Sequence, residues 1–69
     1  MPGDVGLVAA LLTKVFGFVV DPTGYEQLSR EIKLRTVRRG LSAAIENNDW
    51  DAADTLFDEY RQLRTEAGP

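Results

Sequence analysis

From Val5 to Val20 the chain reads "VGLVAALLTKVFGFVV", an apolar run interrupted by a single charge, Lys14. At about 100° per residue, Val5, Leu7, Val8, Leu11, Leu12, Val15, Phe16, Phe18, Val19 and Val20 point to almost every side of a helix. Such a helix has no face to offer water, so some other surface has to cover it. The same residues include the β-branched and aromatic types that favour strands, but a lone strand would have nothing to pair with, so the run is read as helix. Only 69 residues are present. At this size folding hides about 60% of the surface of the unfolded chain, and one core is marginally stable. With no Cys and no His, disulfides are impossible and a metal would have only weak oxygen ligands. Association with another copy, a protein partner or a lipid surface is the support that remains.

Three helices are expected, making an all-α fold. The first starts from Asp4 as N-cap and ends at "DPTG". Gly6, Ala10, Lys14 and Gly17 give it a thin edge suited to close helix contact. The second opens with Thr23 and Glu26 as a capping box and runs to Ile45, with Glu26–Arg30 and Glu31–Arg35 spaced as i,i+4 pairs. Its apolar stripe changes sides. Tyr25, Leu28 and Ile32 point one way, towards the first helix. Leu34, Val37, Leu41, Ala44 and Ile45 point the other way, towards the third. Gly40 in its interior marks a kink or a close approach. The third helix follows "ENND", with Asn48 or Asp49 as N-cap. It carries Trp50, Ala53, Leu56, Phe57, Tyr60 and Leu63 along one stripe, and Gly68 with Pro69 closes it.

A short polar link between two helices of similar length implies an antiparallel hairpin. The chain therefore divides into a hydrophobic N-terminal helix, residues 1–22, and a helical hairpin module, residues 23–69. The segment "LSAAIENNDWDAADTLFDEYRQL" resembles, over one hairpin, the turn of tetratricopeptide-type helical repeats, in which an aromatic and a small residue follow an Asn/Asp-rich turn. That resemblance implies hairpin geometry.

Lipid contact by the first helix has to be weighed against its length. Sixteen residues reach about 24 Å, short of the roughly 30 Å of a bilayer's hydrocarbon core, and Lys14 would lie inside it. If it does insert, Arg30, Lys33, Arg35, Arg38 and Arg39 keep the C-terminal side cytoplasmic. Otherwise the chain belongs to the cytoplasm or to an assembly. A cleaved secretory signal is not expected, because Asp4 precedes the run and no small-residue cleavage site follows it.

The net charge of −3 conceals two opposed segments. Residues 23–45 hold five cations and two anions, whereas residues 46–69 hold seven anions and two cations. The two segments are expected to complement each other. Projection scatters the cations, so nucleic acid is not the expected partner, although Arg35, Arg38 and Arg39 are the residues that would touch an anionic ligand. Asp51, Asp54, Asp58 and Glu59 read as the solvated side of an amphipathic helix rather than as converging acid–base groups. No nucleophile–base pair, phosphate-cradling loop or metal motif is present, so neither catalysis nor a cofactor is expected.

The expected role is that of a small structural or adaptor component. It docks to a membrane or into a larger assembly, a virion or phage particle included, through Leu7, Val8, Leu11, Leu12, Val15, Phe16, Phe18 and Val19. A soluble homo-oligomer or hetero-complex subunit is the alternative, and a small nucleic-acid-binding regulator is the third.

Overall fold

The computed structural model describes residues 3–66, and every regular element among them is helical. There are four helices rather than three: α1 (Gly3–Phe16), α2 (Pro22–Glu26), α3 (Arg30–Glu46) and α4 (Trp50–Glu66). The extra element arises because the first two expected helices stop and start at places that hydropathy hides.

α1 ends at Phe16, four residues before its apolar run does. Gly17 adopts φ +79°, a left-handed conformation open to glycine, and its N–H donates to the Thr13 carbonyl at 2.9 Å. This is a helix-ending αL turn. The Thr13 hydroxyl then accepts the N–H of Val20 at 2.8 Å, tacking the emerging segment back against α1. Phe18, Val19 and Val20 consequently lie outside the helix. At the other end α1 already includes Gly3, so Asp4 falls within the first turn; its side chain, like Gly68 and Pro69, lies outside the described residues.

The Thr23–Glu26 capping box does not form. Asp21 caps instead, with extended backbone (φ −74°, ψ 128°) and a carboxylate that accepts the Gly24 N–H at 2.9 Å. Pro22 explains the choice, because proline suits the first helical position and pushes the residue before it out of the helical region. After one short helix the chain breaks, and Ser29 (φ −65°, ψ 159°) caps α3 by accepting the Ile32 N–H at 3.3 Å. The stripe that changes sides in the sequence therefore belongs to two helices.

Between α3 and α4 the link closes by side-chain and backbone capping. Asn48 takes a left-handed φ of 58°, its N–H donates to Ile45, and the N–H of Asp49 donates to Ala44 at 2.8 Å. This is the Schellman arrangement, with Asn in the position more often held by Gly. Asp49 then caps α4, accepting the Ala52 N–H at 3.2 Å.

The core takes Val8, Ala9 and Leu12 from α1, Tyr25 from α2, Val37 and Ala44 from α3, and Ala52, Ala53, Leu56 and Leu63 from α4. At its centre is Gly40, which serves a close approach rather than a kink. A Cβ built there would stand 2.5 Å from Leu12 Cδ2 and 3.4 Å from Leu56 Cδ1. The thin edge expected on α1 does not take part in this contact: Gly6, Ala10, Lys14 and Gly17 all face solvent.

Three residues assigned to the hairpin interior, Ile45, Trp50 and Phe57, are exposed, and so is Ile32. The buried sector of α4 is centred on Ala52, Leu56 and Leu63, rotated away from the aromatic stripe. Among the described residues, alanines make up four of the ten buried apolar ones, because α1, α3 and α4 close on a small volume. Large side chains are displaced to the rim.

Candidate functional site

An apolar hollow lies where α1 turns into α2. Phe16, Phe18, Val19 and Val20 line it with Tyr25 and Leu28, and Asp21, Gly24, Thr36 and Arg39 complete the wall of a groove of about 510 Å3. The turn at Gly17 folds Phe18 back on Phe16, with ring centroids 5.4 Å apart and planes inclined by 9°. Stacking of this kind fixes the mouth of the groove. Phe18 is 63% exposed and Val19 85% exposed, so the tip presents apolar surface that the chain leaves uncovered.

The eight residues expected to dock externally are thus divided. Val8 and Leu12 are in the core, Leu11, Val15 and Phe16 pack half-buried against it, and Leu7, Phe18 and Val19 remain exposed. The greater part of the greasy helix is covered from within. No helix among the described residues is long and apolar enough to cross a membrane.

Arg35, Arg38 and Arg39 do not converge. Arg39 borders the apolar groove, whereas Arg35 and Arg38 line a separate hollow with Glu31, Leu34 and Tyr60. Nor do the cations of α3 pair with the acidic row of α4. Tyr60 sits beside the first half of α3, so Arg61 and Arg64 reach that cationic end. Of the acidic row of α4, Asp51 and Asp54 lie nearest the link. Asp51, Asp54 and Asp58 face solvent, and half-buried Glu59 accepts a hydrogen bond from the Tyr25 hydroxyl at 3.0 Å. That bond ties α2 to α4 across 34 positions of sequence, and Lys33 lies over the same ring at 5.7 Å.

A single ion pair is found among the described residues, Lys14 Nζ to Asp49 Oδ2 at 2.7 Å, and it ties α1 to the α3–α4 link. The hydrogen bond to Asp49, then its charge, holds the Lys14 ammonium above its ordinary pKa. The hydrogen bond from Lys14, then that from the Ala52 N–H, holds the Asp49 carboxyl below its ordinary range. Lys14 is 66% exposed, so water screens the pair and its contribution is small. Its sign is definite. The carboxylate's share is complete above the ordinary carboxylate range and is lost as pH falls through the depressed value; the ammonium's is lost as pH rises through the raised one. Asp49→Asn keeps an acceptor for the Ala52 N–H while removing the pair. The variant is therefore expected to melt slightly below the wild type at neutral pH and to converge with it in strong acid. A gap that stays constant across that range would show that the pair adds nothing.

Among the described residues no group of three or more acidic side chains is disposed to hold a metal ion. No family model, curated protein or solved structure matches this chain.

Proposed function

We propose that this chain is a non-catalytic adaptor that docks into a larger protein assembly through the apolar corner between α1 and α2. In this reading α3 and α4 form an antiparallel helical hairpin that acts as the rigid, charged body. α1 is packed against that body as its third side and delivers the corner. One observation carries the proposal: Phe18 and Val19 project from a turn that two hydrogen bonds to Thr13, one to its carbonyl and one to its hydroxyl, hold in place at the mouth of an apolar groove. Exposed apolar side chains on a fixed turn cost stability in water and gain it against a matching surface. A groove suits a protein partner's side chains better than it suits lipid, because its wall mixes Asp21 with Arg39, whereas anionic bilayers favour cations alone.

The test is site-specific cross-linking in the cells that make the protein, with a photoreactive side chain at Val19. A discrete protein adduct that disappears with Phe18→Asp supports docking into an assembly. Flotation of the purified chain with anionic vesicles, lost with the same substitution, would replace the protein partner by a membrane surface. With neither result the corner is not a docking site.

A further inference from the structure

On the side of the molecule away from α1, α4 carries a second surface stripe: Trp50, Asp54, Phe57, Arg61 and Arg64. Its spacing of four, three, four and three residues is the seam spacing of a coiled coil. All five residues face solvent, with Trp50 59% and Phe57 48% exposed. α1 lies along a different flank of α4, where Leu7 and Val8 share a hollow with Thr55, Glu59 and Gln62.

Read in reverse about Phe57, the stripe complements itself. Trp50 stands opposite Arg64 and Phe57 opposite Phe57, and Asp54 faces Arg61 with an offset of one residue, within reach of the long arginine side chain. We propose that α4 pairs antiparallel with α4 of a second copy of this chain, about a twofold axis at the level of Phe57.

Each pairing has a physical cause. Two phenyl rings at the axis bury surface that is half exposed in one copy. Asp54 meets the guanidinium of Arg61, and Arg64 meets the indole of Trp50 face on. Both arginines already lie over rings of their own helix, Arg61 at 5.9 Å from the Phe57 centroid and Arg64 at 5.9 Å from that of Tyr60. Arg61 is therefore held at the seam before the partner arrives, whereas Arg64, over a ring outside the stripe, has to swing towards it. Antiparallel pairing also sets the cationic end of each copy, with Arg35 and Arg38 of α3, against the acidic end of the other, where Glu46 and Asp51 lie. A parallel pairing would bring like charges together. Because the same patch serves both copies, the contact closes at two and does not propagate.

Size sets the strength. α4, of 17 residues, is about 25 Å long and about 10 Å wide, which offers roughly 250 Å2 from each copy. The total of roughly 500 Å2 is that of a small, transient contact, so the dimer is expected to dissociate at roughly hundreds of micromolar. The corner at Phe18 and Val19 is not used by this contact, and a dimer would present it twice.

Sedimentation equilibrium of the whole chain over a hundredfold concentration range tests the pairing. Expected is a monomer–dimer equilibrium that weakens as salt is raised, and at least tenfold with Phe57→Asp. Arg61→Glu and Asp54→Arg should each weaken it about tenfold, and the two together should restore it, with circular dichroism unchanged throughout. A monomer at every concentration overturns the proposal. So does a dimer indifferent to the charge swap, or one broken by Phe18→Asp instead.

Discussion

Leu12→Ala is expected to remove most of the stability of this protein, whereas Leu7→Ala, one and a half turns away on the same helix, is expected to change it little. Both leucines belong to one unbroken apolar run, and the sequence gives no reason to separate them. In the fold, Leu12 is wholly buried between α3 and α4 and Leu7 is about half exposed. Truncating a buried leucine loses its transfer free energy and leaves a cavity, together about 2–5 kcal/mol. A domain below 70–80 residues rarely holds more than about 3–5 kcal/mol in total, so the variant should be substantially unfolded. Substitution at the exposed position should stay within about 0.5 kcal/mol. Urea titrations followed by circular dichroism give both values at a protein concentration where self-association is absent. Equal losses at the two positions would mean that α1 is not packed as described.

The second large effect is expected at Gly40. Valine there should destabilise by about 2–3 kcal/mol, because its Cβ would overlap Leu12 Cδ2 and its methyls would press on Leu56. Propensity alone points the other way, since valine is a better helix former than glycine. Packing is the stronger influence. Leu12 has no exposed surface into which it can swing. The same contact makes Gly40→Val and Leu12→Ala dependent on each other, because the truncated side chain vacates the space that the valine needs. Their combined loss should fall short of the sum of the separate losses by about 1 kcal/mol or more. Strict additivity would show that Gly40 is not there to admit α1.

Much of this was legible from residue order. All-helical character, a final helix capped at Asn48 or Asp49, and the special place of Gly40 follow from periodicity and capping chemistry. Less legible were the ends of the first two helices. Hydropathy continues through Phe18, Val19 and Val20 although Gly17 has already ended the helix, and Thr23–Glu26 imitates a cap that Pro22 assigns to Asp21. Among the eight residues expected to dock, hydropathy could not distinguish the covered, such as Val8 and Leu12, from the exposed, such as Phe18 and Val19. A run that is apolar on every side carries no phase from which the inward face can be read.

Local chemistry thus determined which segments coil, because a cap, a proline or a glycine acts on its own neighbours wherever the rest of the chain lies. Only the tertiary structure decided which sides turn inward. At Gly40 three helices come together within a side chain's breadth, so alanines and Leu12 fill the centre while Trp50 and Phe57 are left at the rim. That outcome depends on how α1 sits across α3 and α4, a relation among residues far apart in sequence.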